Sequence, residues 1–299
     1  MTPALVIGGA SFLGRHLCHR LRHDRAPFTA ASRSGRDALL RCDITRSQEI
    51  DAALKAVRPA VIYHCAGLTS TATEDELFRV HRDGADNLLQ SVAQHVPGAL
   101  VILMGSAAEY GPVAAERLPI REDTPAAPQS PYGRSKLAQT ETAQRLASEL
   151  GLRVVIARPF NILGPGLGPQ YFAAAFAEKL RRLQKEGRSG VVPVANGRAT
   201  RDWIHVGDVV DALCGLGEIR TLRGAAEVFN IATGTETTVL DLANAFCRRA
   251  GVFEAVDEGV AASRSGIDRS AGDSSRLRHA TGWRPTRTWQ EAVADMWHV

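Results

Sequence analysis

A strand, a tight turn and the start of a helix are encoded in one stretch, Ala4-Leu5-Val6-Ile7-Gly8-Gly9-Ala10-Ser11-Phe12-Leu13-Gly14. Its apolar start is typical of a buried strand, and a helical pattern continues from Leu13 to about Arg22. In a strand–turn–helix unit of this kind, backbone N–H groups at the start of the helix face a pyrophosphate. The stretch therefore predicts a dinucleotide-binding unit.

The glycine spacing departs from the common dinucleotide-binding pattern at one position. Gly8 and Gly14 stand at the two ends of a G-x-x-G-x-x-G pattern, but Ser11 occupies the middle position. Because serine is small and keeps its backbone N–H, we expect it to be tolerated there. We expect the cofactor to be bound by Gly8, Ser11, Phe12, Leu13 and Gly14.

Further apolar runs alternate with helical patterns along the first half of the chain. We expect strands at 28–31, 39–42, 60–65, 99–104 and 153–157, and helices at 74–94 and 132–150. This alternation is typical of a parallel sheet with helices on both faces. The sequence therefore predicts an α/β protein built on a doubly wound parallel sheet, the Rossmann fold.

The segment after the second predicted strand bears on the choice between NAD and NADP. In an NAD-preferring fold an Asp or Glu is expected there, because its carboxylate binds the adenosine ribose hydroxyls. No carboxylate occurs before Asp37, and Arg33 stands between two serines instead. A guanidinium beside hydroxyls suits a 2′-phosphate, so Arg33 and Ser34 predict NADP. A solvated Arg-Ser turn is the alternative.

Other candidate contacts follow the next strands, at the edge where open α/β sheets bind their ligands. Asp43 and Ile44 follow the third strand and are placed to meet the adenine. Ala66 and Gly67 follow the fourth strand and are small enough for a cofactor to lie against its end. Ser106 follows the fifth strand and should face the same site.

A possible acid–base pair lies in Tyr132-Gly133-Arg134-Ser135-Lys136, at the start of the helix that ends at Leu150. Side chains four residues apart lie on one face of a helix, so the Tyr132 phenol and the Lys136 ammonium should share one small volume. An adjacent cation favours the phenolate and predicts a lowered pKa for Tyr132. Such a pair could exchange a proton with a sugar or alcohol oxygen. The alternative is an amphipathic helix that carries both residues by chance.

Composition limits the class of protein. The 299 residues are 44% hydrophobic and 23% charged, which is ordinary globular usage. The net charge of +4 comes mainly from scattered Arg residues, which suits an anionic small molecule and gives no nucleic-acid signature. Five scattered cysteines without C-x-x-C spacing predict reduced thiols in a cytoplasmic protein, with no disulfide frame and no metal site. We expect neither a membrane span nor a secretory leader.

Together, the glycine turn, Ser106 placed four residues before Tyr110, and Tyr132-x-x-x-Lys136 resemble the extended short-chain dehydrogenase/reductases. Motifs in the second half resemble the branch that acts on nucleotide sugars. These motifs are Arg158-Pro159-Phe160-Asn161-Ile162-Leu163-Gly164-Pro165-Gly166, Arg201-Asp202-Trp203-Ile204-His205-Val206, Gly272-Asp273-Ser274-Ser275-Arg276-Leu277 and Thr281-Gly282-Trp283. Within that branch, the chain resembles GDP-4-keto-6-deoxymannose reductases and related NDP-hexose 4-ketoreductases.

The resemblance implies roles for the candidate catalytic residues. Tyr132 would protonate the C4 oxygen of a keto sugar. Lys136 would lower the pKa of Tyr132 and hold the nicotinamide ribose. Ser106 would donate a hydrogen bond to the same carbonyl. Pro159 would seat the nicotinamide of NADPH.

The resemblance also implies a set of substrate-binding residues. Asn161, Arg201 and Arg264 would bind the phosphates of the nucleotide sugar, which guanidinium groups can contact in bidentate fashion. His81 stands where the family usually has Asn, and we expect it to be a structural histidine.

The same resemblance implies two domains and a homodimer. The dinucleotide-binding domain would comprise residues 1–160, with 203–233 returning to it. A smaller, discontinuous nucleotide-sugar domain would comprise 161–202 and 234–299. Two helices from each subunit, 76–94 and 132–150, would form the dimer interface.

The expected function is NADPH-dependent reduction of the C4 ketone of a nucleotide-linked 4-keto-6-deoxyhexose. A 4,6-dehydratase would need an acidic pair after Ser106, where this chain has Ala107-Ala108. A 4-epimerase would retain NAD and use the carboxylate that is missing after the second strand. A regulator that only senses the dinucleotide typically lacks the Tyr-Lys pair.

Overall fold

The computed structural model describes residues 3–259 and 267–298. The elements of the first half are β1 (Ala4–Ile7), α1 (Phe12–His23), β2 (Phe28–Ser32), β3 (Leu40–Arg41), α2 (Ser47–Val57), β4 (Val61–His64), α3 (Glu74–Phe78), a π-helical turn (Arg79–Asp83), α4 (Gly84–His95), β5 (Leu100–Met104), α5 (Pro131–Leu150) and β6 (Arg153–Pro159). Those of the second half are β7 (Asn161–Leu163), α6 (Phe172–Lys185), β8 (Gly190–Val194), β9 (Thr200–Arg201), β10 (Trp203–His205), α7 (Val206–Gly217), β11 (Ala226–Ile231), β12 (Thr237–Thr238), α8 (Val239–Ala250), β13 (Phe253–Asp257), α9 (Ser275–Thr281) and α10 (Trp289–Trp297).

Seven parallel strands form the central sheet, in the order β11-β6-β5-β4-β1-β2-β3. The chain builds outward from β1 to β3, then crosses back to place β4 on the other side of β1. The predicted doubly wound parallel sheet is confirmed. The reversal between β1 and β4 is the place where such sheets bind ligands, beyond the carboxyl ends of the strands.

Both faces of this sheet are buried. Ile62 and Ile156 belong to the core under α2, α4 and α5, whereas Val6 and Val155 belong to the core under α1 and α7. A strand with helices on both sides needs apolar side chains at every position. This explains why the strands are continuous apolar runs in the sequence.

A third core lies apart from the sheet. Leu180 of α6, Phe246 of α8 and Val293 of α10 pack together there. This separate core supports the two-domain division that we expected, which stays a proposal. Strand β10 pairs with β7 (Trp203 with Asn161) in a separate two-stranded sheet, and Ile204 of β10 belongs to the core under α1 and α7. The return to the main sheet is made by β11, which pairs with β6.

No helix in the described part of the chain combines the length and the apolarity that a membrane crossing requires.

One buried carboxylate fastens the segment between β9 and β10 to distant parts of the chain. Asp202 is fully buried and accepts hydrogen bonds from the backbone nitrogens of Thr233 (3.0 Å), Gly234 (2.8 Å) and Gly272 (3.1 Å). It also accepts one from the Thr233 hydroxyl at 2.7 Å. These bonds join the segment before β10 to the segments that follow β11 and precede α9.

We predict that Asp202→Ala lowers the free energy of unfolding by about 2–4 kcal/mol, because it leaves several buried donors without an acceptor. Urea denaturation followed by circular dichroism measures this. The matched control is Asp123→Ala, since the Asp123 side chain is 68% exposed and its ion pair lies at the surface. Equal unfolding midpoints for the two variants would contradict the role given to Asp202.

Candidate active site

A cleft lies at the carboxyl ends of β1 to β4, where the strand order reverses. Its volume is about 320 Å³, within the range of small-molecule sites. The residues that line it are Gly8, Ala10, Ser11, Ser32, Arg33, Cys42, Asp43, Ile44, Thr45, Ala66, Gly67, Leu68, Arg79 and Val80. It therefore brings together half of the residues predicted to bind the cofactor, from four separate loops: Gly8, Ser11, Arg33, Asp43, Ile44, Ala66 and Gly67.

The turn after β1 is shaped for close approach of a ligand to the backbone. Gly8 has φ +86°, and a Cβ atom there would lie 2.4 Å from the backbone nitrogen of Ala66. A Cβ on Gly14 would lie 2.1 Å from the Gly8 carbonyl oxygen. The Ser11 hydroxyl accepts a hydrogen bond from the Gly14 N–H at 3.1 Å and so caps α1. Serine at the middle position of the glycine pattern therefore serves as the N-cap of α1.

This turn fits a dinucleotide. The first turn of α1 carries no acidic side chain, so the positive end of the helix dipole and its free N–H groups face the cleft unopposed. Leu13 is buried in the core beneath the turn, and Phe12 packs against that core. Their side chains are absent from the cleft wall, so any contact that they make with a cofactor would come from the backbone.

Arg33 is exposed and lines the cleft directly after β2, near Asp43. Burial raises the pKa of Asp43, but hydrogen bonds from the backbone and hydroxyl of Thr45 and the charges of Arg33 and Arg46 outweigh it, so this pKa is lowered. Asp43 is therefore ionised. Its Oδ1 accepts the two Thr45 bonds at 3.0 and 2.8 Å, which fixes the loop that would meet the adenine.

Two residues in this region differ from the sequence expectation. Ser34 is exposed and absent from the cleft wall, and its hydroxyl accepts a long hydrogen bond (3.4 Å) from the Arg36 N–H. Arg79, which sequence reasoning missed, lines the cleft from the π-helical turn. The sequence held no signal for Arg79, because a helical pattern does not reveal a widened turn.

The start of α5 is pressed against the turn that follows β5. Ser130 caps the helix by accepting the Gly133 N–H at 3.0 Å, and Pro131 occupies the first helical position. A Cβ on Gly133 would lie 2.5 Å from the Ala108 carbonyl oxygen. Glycine at this position therefore allows α5 to approach the turn closely enough for the Ser106 hydroxyl to influence the Tyr132 phenol.

The predicted direction of the Tyr132 pKa shift is wrong. Burial raises this pKa above its ordinary value, with Tyr171 adding to the rise and the nearby Ser106 side chain opposing it. The Lys136 Nζ donates its hydrogen bonds to the Met104 carbonyl oxygen (2.7 Å) and to Gln139 Oε1 (3.0 Å). At neutral pH the phenol is therefore protonated, which is the form that can donate a proton.

Lys136 is itself perturbed. Its side chain is buried, and burial lowers its pKa to about 8, with the negative charge of Glu109 opposing the change. A Cβ on Gly67 would lie 3.8 Å from its Nζ, so the ammonium reaches the end of β4 where the cofactor loop begins. The ammonium therefore lies beside Gly67, which lines the cleft.

Glu109 is the only carboxylate close to Ser106 in sequence, and it lies beneath the turn, fully buried. It accepts hydrogen bonds from the Ser106 backbone N–H (2.8 Å) and the Thr140 hydroxyl (2.8 Å), and it forms an ion pair with Arg158 at 2.6 Å. All of its contacts lie on the inner side of the turn. Glu109 therefore positions the backbone of Ser106 and is not presented to a substrate.

The residues assigned to the substrate lie at the start of β7 and in β9. The Asn161 amide donates to the Asp202 carbonyl oxygen at 3.2 Å. The Arg201 guanidinium donates to the carbonyl oxygens of Thr200 (2.7 Å) and Ile267 (2.9 Å). Within residues 3–259 and 267–298 it forms no ion pair with a carboxylate, so its charge is available to an anion.

Two residues remain from the sequence assignments, one for the cofactor and one for the substrate. Pro159 is buried at the end of β6, beside the edge strand β11. Arg264 lies outside the described residues. No group of three His, Cys, Asp or Glu side chains suited to a metal ion occurs in the part of the chain that the structure describes.

Two curated relatives are similar over nearly the full length of the chain. The GDP-6-deoxy-D-mannose reductase of Pseudomonas aeruginosa is 29% identical, and the match covers 98% of this chain and 95% of that protein. The dTDP-6-deoxy-L-talose 4-dehydrogenase (NAD(P)(+)) of Kitasatospora kifunensis is 27% identical over 98% of this chain and 93% of that protein. Several other relatives are UDP-glucose 4-epimerases, 25–29% identical.

A solved structure and a family model agree with these relatives. The structure of RMD from Pseudomonas aeruginosa complexed with NADPH superimposes with a TM-score of 0.86 at 27% identity, covering 100% of this chain and 97% of that one. The model of the family described as "NAD dependent epimerase/dehydratase family" matches residues 4–232, well over half of the chain. The chain therefore belongs to this family of nucleotide-sugar enzymes, which are extended short-chain dehydrogenase/reductases.

Proposed function

We propose that the protein is an NADPH-dependent 4-ketoreductase, which reduces the C4 ketone of a nucleotide-linked 4-keto-6-deoxyhexose to an alcohol. The observation that carries this proposal is a protonated phenol, Tyr132, next to Ser106 in a site where Glu109, the carboxylate close to Ser106 in sequence, is turned inward. Reduction of a ketone needs one hydride and one proton. When bound, NADPH supplies the hydride.

The chain's own residues would supply the proton and stabilise the charge that forms on oxygen. Tyr132 would donate its proton to the C4 oxygen, and the Ser106 hydroxyl would donate a hydrogen bond to that oxygen as negative charge builds there. The Glu109 ion pair would hold the Ser106 turn in place. Lys136, which reaches the cleft beside Gly67, would hold the nicotinamide ribose.

NADPH is proposed over NADH because of the charges at the adenosine end of the cleft. Arg33 is exposed there and directly follows β2, and the first carboxylate after it in the chain is Asp37. An acidic residue at that place would repel a 2′-phosphate, whereas a guanidinium can bind it with two hydrogen bonds. The solved relative with NADPH supports the same choice.

Arg201 and Asn161 are proposed to bind the diphosphate and sugar of the substrate, together with Arg264. The half-buried Arg201 guanidinium has only carbonyl partners among the described residues, which suits a dianionic diphosphate. We further propose a cytoplasmic homodimer that packs through α4 and α5. Leu150, at the end of α5, is an exposed apolar residue that would contribute to that interface.

A 4-epimerase is the second candidate, since several relatives are named so. An epimerase would use the same Ser106, Tyr132 and Lys136 set but would not consume the cofactor. A 4,6-dehydratase is less favoured, because Ala107 and Ala108 follow Ser106 and neither can take up or donate a proton.

We predict that Tyr132→Phe lowers kcat by at least ~10²–10⁴-fold, because it removes the proton donor. NADPH affinity should stay within twofold of the wild-type value, since the phenyl ring still fills the same space. Steady-state kinetics and cofactor fluorescence titration measure the two effects. Tyr63→Phe is the control, because the Tyr63 hydroxyl lies in the core under α7. Wild-type kcat in Tyr132→Phe would contradict the assigned role.

We predict that Arg33→Ala raises the KM for NADPH about tenfold or more and leaves the KM for NADH nearly unchanged, because a charge-assisted bond to a phosphate is lost. Arg36→Ala is the matched control, since Arg36 is exposed nearby but absent from the cleft wall. A protein that prefers NADH, or that retains NAD through purification, would instead favour the epimerase.

We predict that GDP-, dTDP- or UDP-linked 4-keto-6-deoxyhexoses are reduced when NADPH is added, with NMR identifying the C4 alcohol. GDP-mannose or dTDP-glucose incubated with the enzyme and NADP should yield no 4-keto-6-deoxy product. Accumulation of the keto sugar would overturn the reductase proposal in favour of a dehydratase. Conversion of UDP-glucose to its C4 epimer without net change in the cofactor would overturn it in favour of an epimerase.

A further inference from the structure

We propose that His81 is a positioning residue that couples the cofactor-facing loop at residues 67–68 to the start of the helix that carries Tyr132. His81 is fully buried in the π-helical turn between α3 and α4. Its Nε2 lies 3.1 Å from the backbone nitrogen of Leu68, and its Nδ1 lies 2.9 Å from the Ser135 hydroxyl oxygen. One ring therefore bridges the cleft wall and α5.

The surrounding donors fix where the ring proton lies. The Leu68 backbone N–H can only donate, so Nε2 must be the acceptor. The Ser135 hydroxyl donates its single proton to the Tyr132 carbonyl oxygen at 2.8 Å, so it must accept from Nδ1–H. The four groups form one directed chain, from Leu68 N–H through His81 and Ser135 to the backbone of Tyr132. This chain allows only one neutral tautomer.

The ring also touches what it is proposed to position. The edge of one ring faces the other between His81 and Tyr132, with centroids 5.7 Å apart and planes at 83°. A Cβ on Gly67 would lie 3.2 Å from Nε2, so the loop packs directly on the imidazole. Burial, together with the Lys136 charge, lowers the pKa of His81 to about 2, so the ring stays neutral and its hydrogen-bond pattern holds at any physiological pH.

The π-helical turn explains how one short segment contacts both the cleft and α5. Residues Arg79 and Val80 of this turn line the cleft, whereas the next residue, His81, faces α5. A widened turn shifts the phase of the helix by one residue and is often found at functional sites. A cofactor that orders the loop at 67–68 would thus press on the same ring that orients Tyr132.

Separate variants can break the two ends of this series of hydrogen bonds. In His81→Asn, the amide nitrogen can replace Nδ1 as donor to Ser135, but the side chain is too short to reach Leu68. Ser135→Ala removes the link to Tyr132 and leaves the Leu68 end intact. His81→Phe keeps a buried ring and loses both hydrogen bonds.

The experiment measures NADPH dissociation constants by fluorescence and kcat at saturating NADPH for each variant. We expect the dissociation constant to rise about fivefold in His81→Asn with kcat nearly unchanged, and kcat to fall about fivefold in Ser135→Ala with the dissociation constant nearly unchanged. His81→Phe should show both effects. His95→Asn, which alters a histidine at the far end of α4, should show neither.

The outcome that overturns the proposal is a set of variants with lower melting temperatures but with dissociation constants and kcat within twofold of the wild type. Such a result would make His81 a packing residue only. The kcat measurement rests on the proposed function, whereas cofactor binding does not. Failure to reduce any keto sugar would refute the proposed function, and the binding experiment, repeated with NADH if needed, would still decide the Leu68 end. Ser135→Ala is the mildest change and serves if the His81 variants do not fold.

Discussion

The geometry of the candidate active site depends on one buried ion pair, between Glu109 and Arg158. Both side chains are buried. Because a buried charge without a partner costs several kcal/mol, the folded protein has to bring the two side chains together. Glu109 lies in the turn after β5 and Arg158 lies in β6, so the pair fixes that turn over the neighbouring strand. The remaining lone pairs of Glu109 are taken by Thr140 of α5 and by the Ser106 N–H. A single carboxylate thereby joins the three elements that hold Ser106 and Tyr132.

The central sheet could be predicted from the sequence because its strands are buried on both faces. Runs such as 99–104 have no polar side, so their identity does not depend on distant contacts. The glycine turn was equally clear, since a Cβ at Gly8 or Gly14 would collide with backbone. Short or exposed elements were less well determined. The third strand is two residues long, Leu40–Arg41, and β10 pairs with β7 through a contact that no local pattern encodes.

Within the site, the sequence could predict which residues meet but not what they do to each other. The spacing of Tyr132 and Lys136 placed both at the start of α5. The predicted direction of the Tyr132 pKa shift was wrong because burial of the phenol dominates it, and the spacing of two residues on a helix does not show how deeply the fold buries them. The positions of Arg79 and His81 depend on a π-helical turn, which tertiary packing creates. Glu109 could be seen in the sequence, but its burial could not.

The electrostatics of the site keep the Tyr132 phenol protonated at neutral pH. Two buried carboxylates already have partners: Glu109 is paired with Arg158, and the oxygens of Asp202 accept hydrogen bonds from backbone N–H groups. What remains is a phenol whose pKa is raised by burial and a cation whose pKa is lowered to about 8. A phenol of raised pKa is still a stronger acid than an aliphatic alcohol, so Tyr132 can give its proton to an oxygen on which negative charge builds. Each such transfer leaves a phenolate in a desolvated place, so the proton has to be replaced before the next turnover. Burial of Tyr132 therefore sets the form in which the site meets its substrate, the protonated acid.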